Sequence, residues 1–218
     1  MALAMRSRTR RRLALALAGG LCTPLAHAQG AASPGAAAPL APTPRQSRGP
    51  YYPVEIPSGT VTDLVIERDG KRAVGDIAVV EGRVLDTAGR PVARALVEIW
   101  QCNGYGRYHH PRDDNPQPID PLFRAYGRQL TDAQGRYRFR TIRPVAYPGR
   151  TPHIHFAVTP ERGETLVTQL YVRGAPENVR DGLYNALPPA ARERITAEFA
   201  RGAPGEPLTA RFDIVLGG

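Results

Sequence analysis

The chain has 218 residues, 29 basic against 20 acidic side chains, and a formal charge of +9. That length allows one domain with a real core, and two cysteines are too few for a disulfide-built scaffold. The charge is concentrated at the start: without Arg6, Arg8, Arg10, Arg11 and Arg12 the balance is only +4, and no basic tract remains to bind nucleic acid.

These arginines precede the apolar run Leu13 to Leu21, which is too short to span a bilayer. Ala26-His27-Ala28 fits a small-x-small cleavage site, so residues 1–28 read as a secretory signal peptide and the mature chain as exported, periplasmic or secreted. Thr9-Arg10-Arg11-Arg12-Leu13 has the form of a twin-arginine signal. Leu21 directly before Cys22 makes a poor lipoprotein box, so release without a stable membrane anchor is expected. Cys102 then stands alone and reads as a buried small hydrophobe.

Residues 29–48 are rich in Ala, Pro, Gly and Ser, have no hydrophobic period, and read as a disordered arm. The folded domain is placed at 49–218. It opens on Gly49-Pro50-Tyr51-Tyr52-Pro53, whose aromatic residues either cap the core edge or line a pocket. From Ile77 the pattern has period two. It predicts strands over Ile77 to Leu85, Ala95 to Gln101, Arg136 to Ile142, His153 to Thr159, Thr165 to Val172 and Ala210 to Leu216. Pro189 to Ala200 reads as a helix, with proline at its start and Gly202 past its end. The predicted fold is mainly β: an antiparallel β-sandwich with long active-site loops and one short C-terminal helix. The loop from Asn103 to Leu130 is long for a compact domain, which marks it as functional or mobile.

If His153 to Thr159 is a strand, His153 and His155 share one face, and Ile154, Phe156 and Val158 fill the other. Such a face is equally the wall of a metal site or a pair of polar residues on a half-exposed strand. The candidate ligands are Tyr108, His109, His110, Tyr147, His153 and His155. A phenol with an ordinary pKa of about 10 is a poor zinc ligand. Ferric iron can hold it as phenolate, so two tyrosines with two histidines would point to non-haem Fe(III). Zinc would favour three histidines, or histidines with a carboxylate.

The order Leu96-Val97-Glu98-Ile99-Trp100-Gln101, Gly106-Arg107-Tyr108, Tyr147-Pro148, Arg150-x-x-His153-x-His155 and Thr168-Gln169-Leu170-Tyr171 resembles the intradiol ring-cleavage dioxygenases, closest to the protocatechuate 3,4-dioxygenase branch. The resemblance runs from about Gly49 to the end. It implies a β-sandwich holding one non-haem Fe(III) per chain, with Tyr108 and His153 as equatorial ligands and Tyr147 and His155 as axial ones. Arg150 and Gln169 match the family's second-sphere arginine and glutamine, and Pro50, Tyr51 and Tyr52 its pocket rim. Tyr147 would take up a catechol proton, Arg150 would stabilise charge developing on the ring, and cleavage with O2 would give a cis,cis-muconate. His109 and His110 fall to solvated loop residues under this reading. The sequence departs from the family at Gly149, where the best-known protocatechuate enzymes carry tryptophan, and in a shorter loop from Tyr147 to His153. Those enzymes pair two different subunits, whereas this sequence shows no second half and is compatible with a homo-oligomer.

Two other classes compete. Val80 to Val84, followed by Gly89-Arg90-Pro91-Val92, also resembles the opening hairpin of extracellular β-sandwich binding modules, which need no metal. A zinc hydrolase would combine His153 and His155 with a carboxylate such as Asp120.

Overall fold

A computed structural model describes residues 38–217; the predicted signal peptide and residues 29–37 lie outside the described residues. Strands β1 (Glu67–Arg68) and β2 (Lys71–Arg72) form a small hairpin. Seven longer segments follow: β3 (Ile77–Asp86), β4 (Leu96–Trp100), β5 (Tyr126–Leu130), β6 (Arg136–Ile142), β7 (His153–Thr159), β8 (Leu166–Val172) and, near the end, β10 (Leu208–Arg211). Short β9 (Thr196–Ala197) and β11 (Ile214–Leu216) complete two sheets. One has the order β5-β4-β7-β8-β9; in the other, β3 lies between β6 and the pair β10 and β11.

The alternation read from the sequence is what separates core from site. Val80 and Val84 of β3, Tyr137 and Phe139 of β6, Val97 and Ile99 of β4, and Ile154, Phe156 and Val158 of β7 all enter one buried cluster. The sheets meet where the Phe156 ring lies 5.9 Å from Tyr137 and 5.2 Å from Phe212. Each such side chain stabilises the fold by about 1.5–3 kcal/mol through removal from water.

The mainly β fold with two main sheets and a short C-terminal helix is as expected, and four details differ. The sandwich is not wholly antiparallel: β10 and β11 run parallel to β3, and β9 parallel to β8. The predicted last strand is two, because the chain leaves the ladder at Phe212 and Asp213. There the Asp213 carboxylate, not a carbonyl, accepts from Arg83 N at 2.9 Å, and the Phe212 carbonyl takes the space over Gly82 that any Cβ would fill. The C-terminal helix is only α2 (Pro189–Arg194), preceded by a 3-10 turn (Pro176–Arg180) and the four-residue α1 (Gly182–Asn185). The β-branched pair Ile195-Thr196 ends α2, with Ile195 buried and the Thr196 hydroxyl donating to Arg192 O at 2.7 Å. The described part of the arm is docked: Leu40, Thr43 and Gln46 donate backbone N–H to Thr87, Val215 and Val167 at 2.7, 2.9 and 2.8 Å. Such bonds are made by any residue type, so composition could not announce them.

Candidate active site

The site lies on the outer face of the five-stranded sheet. Register places Tyr126, Trp100, His155 and Gln169 in one row across β5, β4, β7 and β8, with His153 and Tyr171 as neighbours in the next. These side chains share a face because alternate residues of a strand do. The two tyrosines arrive from loops: Tyr108 from the connection between β4 and β5, Tyr147 from that between β6 and β7.

Four rings close a circuit. The centroid distances are 5.3 Å from Tyr108 to Tyr147, 5.5 Å from Tyr147 to His153, 4.7 Å from His153 to His155 and 6.2 Å from His155 to Tyr108. His153 Nδ1 lies 2.7 Å from Thr151 O. A carbonyl only accepts, so Nδ1 carries the proton and Nε2 presents a bare lone pair. That lone pair faces His155 Nε2 at 3.2 Å. Burial pushes the His153 pKa down to about 3, helped by the Arg150 cation. His155 is held well below its ordinary value by burial, with His153 and Arg150 adding to the effect. Both imidazoles are therefore neutral at physiological pH, as ligands must be. Burial raises the Tyr108 phenol well above its usual range, and its hydroxyl is buried with no hydrogen-bond partner. An orphan phenol oxygen beside two converging imidazole nitrogens is an arrangement a cation would satisfy. The residues fit ferric iron: neutral imidazoles and phenols that only a strongly charged metal would deprotonate.

Supporting contacts fix these rings. Trp100 stacks on His155 at 4.9 Å and 4°. Gly49, at φ +70°, comes close to the same ring; a Cβ there would lie 3.1 Å from His155 Cε1. Arg150 donates through Nη2 to Gln169 Oε1 at 2.7 Å and through Nε to Asp181 Oδ2 at 2.8 Å, and its Nη1 lies 3.5 Å from the Tyr147 hydroxyl. Gln169 Nε2 donates in turn to Ser47 O at 2.8 Å, so the docked arm buttresses the site.

At the rim, the Tyr51 ring packs 4.8 Å from Tyr108. Tyr52 meets Trp100 edge-on at 4.9 Å and donates to Glu98 at 2.8 Å, with the Arg48 guanidinium 4.2 Å over its ring. The Tyr126 hydroxyl donates to the same Glu98 oxygen. The exposed Pro50 offers its carbonyl to Arg112 at 2.6 Å.

His109 and His110 are not the solvated residues expected. His110 is buried and its Nδ1 accepts from Arg112 N at 3.1 Å, while His109 packs edge-on to Phe123 at 6.3 Å. Their loop is built from side-chain-capped turns: Asp113 accepts from Tyr108 N at 2.6 Å and Asn103 from Tyr105 N at 2.9 Å. Asp120 is a structural carboxylate, accepting from Val74 N and Leu122 N at 2.8 and 2.9 Å. Among the described residues no third His, Cys, Asp or Glu joins His153 and His155, so the zinc hydrolase loses its carboxylate. Cys102 is buried, with its thiol pKa pushed up to about 12 by desolvation, and behaves as packing. Sequence reasoning missed Asp181, Gly49 as a close neighbour of His155, and the arm residues Gln46 and Ser47. Only Gly49, quoted within a rim motif, carried any signal.

A family model described as Dioxygenase matches residues 47–218. The protocatechuate 3,4-dioxygenase beta chain of Burkholderia cepacia is 46% identical over 155 residues, which is 66% of this chain and 66% of that protein. The hydroxyquinol 1,2-dioxygenase of Corynebacterium glutamicum is 33% identical over 175 residues, 66% of this chain and 54% of that protein. The chain thus spans between about half and two thirds of the length of these curated relatives. Among solved structures, the dioxygenase domain of a dioxygenase carbohydrate-binding protein fusion from Streptomyces sp. SirexAA-E matches with a TM-score of 0.65 at 32% identity, over 81% of this chain and 99% of that one. 3-Chlorocatechol 1,2-dioxygenase from Rhodococcus opacus matches with a TM-score of 0.64 at 27% identity, over 80% of this chain and 72% of that one.

Proposed function

Because this chain belongs to the intradiol ring-cleaving dioxygenases, we propose that it uses non-haem Fe(III), one per chain, to cleave a catechol-type ring with O2. The cut falls between the two hydroxyl-bearing carbons and gives a cis,cis-muconate. The observation that carries this reading is the four-ring circuit, in which the Nε2 atoms of two buried, neutral imidazoles converge to 3.2 Å beside an unpartnered buried phenol. Tyr108, Tyr147, His153 and His155 would hold the ion. Bound ferric iron would hold the phenols as phenolates and draw electron density from a bound catecholate ring, which makes the ring reactive towards O2.

The rest is work for this chain's own side chains. With iron bound, Tyr147 Oη would be a phenolate and would take up one of the two catechol protons, the other going to solvent hydroxide; this internal base is already seated next to Arg150. Arg150 holds a fixed positive charge where negative charge builds on the ring, and Gln169 keeps its guanidinium aimed. Tyr51 and Tyr52, half-buried at the rim beside Tyr108 and Trp100, offer the aromatic surface against which a catechol ring would lie. The relatives are named for protocatechuate, hydroxyquinol and catechol. The shared catechol unit, not one of these compounds, is the substrate class proposed here, with O2 as co-substrate and a homo-oligomer as the assembly.

The tyrosines test the scheme. Tyr147→Phe should slow substrate binding yet keep much of the visible tyrosinate-to-iron band through Tyr108. Tyr108→Phe should lose more of the band. A band abolished in Tyr147→Phe and intact in Tyr108→Phe would reverse the two roles.

The same reading has the chain exported, supported by the arginine-rich start, the short apolar run and Ala26-His27-Ala28. No helix of the described residues is long and apolar enough to cross a membrane. N-terminal sequencing should find Gln29 first on protein recovered outside the cytoplasm; active cytoplasmic protein that retains Met1 would overturn export.

A further inference from the structure

We propose that Asp181 is a positioning residue that decides which edge of the Arg150 guanidinium faces Tyr147. The proposal rests on the dioxygenase reading and names a part of the site that neither the sequence nor the resemblance assigns. A guanidinium has five N–H groups in a fixed plane, so holding one edge aims the others. Arg150 Nε donates to Asp181 Oδ2 at 2.8 Å, and Nη2 reaches Gln169 Oε1 at 2.7 Å and the Tyr171 hydroxyl at 3.3 Å. Nη1, 3.5 Å from the Tyr147 hydroxyl, is left as the edge directed at the reacting side of the site.

Asp181 is itself immobilised. Its Oδ2 also accepts from Thr151 N at 3.0 Å, and its Oδ1 from Tyr184 N at 2.9 Å, at the start of α1. Its side chain is fully buried, and that of Arg150 is 16% exposed. Because Oδ1 is engaged by α1, the carboxylate meets Arg150 through a single oxygen. A side-on pair using both oxygens would take Nη2 away from Gln169 and Tyr171 and rotate the plane. Thr151 links the same carboxylate to the histidines, since its carbonyl fixes the His153 tautomer at 2.7 Å. Capping a four-residue helix requires only one neutral acceptor, whereas gripping Nε in a buried site draws on the charge as well.

The test is a mutant cycle on the full iron-loaded chain, together with a crystal structure. Asp181→Asn keeps an acceptor for Tyr184 N and removes the charge. It should lower kcat by about 10- to 100-fold, the usual scale for outer partners of a metal site, with iron retained. In an Arg150→Leu background, adding Asp181→Asn should change kcat by less than about twofold, because Asp181 then has nothing left to aim. Equal losses in both backgrounds would show a merely structural residue and overturn the proposal. In the Asp181→Asn crystal structure the guanidinium should be turned away from Tyr147; finding it in place would also overturn it. If Asp181→Asn does not fold, Asp181→Glu, which keeps the charge but displaces it by one methylene, carries the same cycle and the same two outcomes. Failure of the dioxygenase reading looks different: the parent chain would turn over no catechol, while the crystal structures would still report on the aim of Arg150.

Discussion

Arg150→Leu turns over roughly 100- to 1,000-fold more slowly than the parent chain, per bound iron, the scale expected when a group that stabilises developing charge is removed. Arg150 is cationic and cannot ligate, so iron content stays at the parent level. An exposed arginine paired with an acid would contribute at most about 1 kcal/mol to stability and nothing to rate. Arg150 is placed differently: mostly buried, with its guanidinium at Gln169, Tyr171, Tyr147 and Asp181. Leucine also leaves the buried Asp181 carboxylate without its partner, which lowers stability by about 3–5 kcal/mol. Rates are therefore measured well below the melting transition of the variant. A kcat within about threefold of the parent, with iron unchanged, would make Arg150 a structural residue and remove it from the mechanism.

His153→Ala loses iron, and with it all measurable turnover. Removing an outer partner of a metal site typically costs about 10- to 100-fold in affinity, so losing a direct ligand costs more than about 100-fold. The fold should survive, because His153 faces the site and not the core: Ile154, Phe156 and Val158 still fill the inner side of β7. His110→Ala makes the contrast. That ring accepts a backbone N–H within its own loop, so its loss should loosen the loop and leave iron content near one per chain. Iron retained by His153→Ala and lost by His110→Ala would move the centre to the loop histidines.

The strands that build the site were legible because their two faces differ in chemistry. β6 and β7 occupy the predicted ranges, and the shared face of His153 and His155 is real. β5 was hidden because Gly127, Arg128 and Gln129 interrupt any apolar alternation in an edge strand. The docked arm was hidden for another reason: its backbone bonds to Thr87, Val215 and Val167 leave no mark on composition. The approach of Tyr108 and Tyr147 to the histidines was not readable from spacing, since both sit on loops whose paths are set by distant turns. Asp181 is a single carboxylate before a four-residue helix, and nothing local distinguishes it from any helix cap. Period-two alternation reports which way strand residues point, not which loop folds over them.

The measurement closest to the central claim is the metal content and visible absorption of the purified chain, before and after anaerobic addition of catechol, followed by admission of O2. The account predicts one iron per chain and a broad visible band that shifts when catechol binds. Oxygen uptake should then match formation of a cis,cis-muconate. A colourless, zinc-loaded protein with full activity, or an iron protein whose band ignores every catechol, would contradict it.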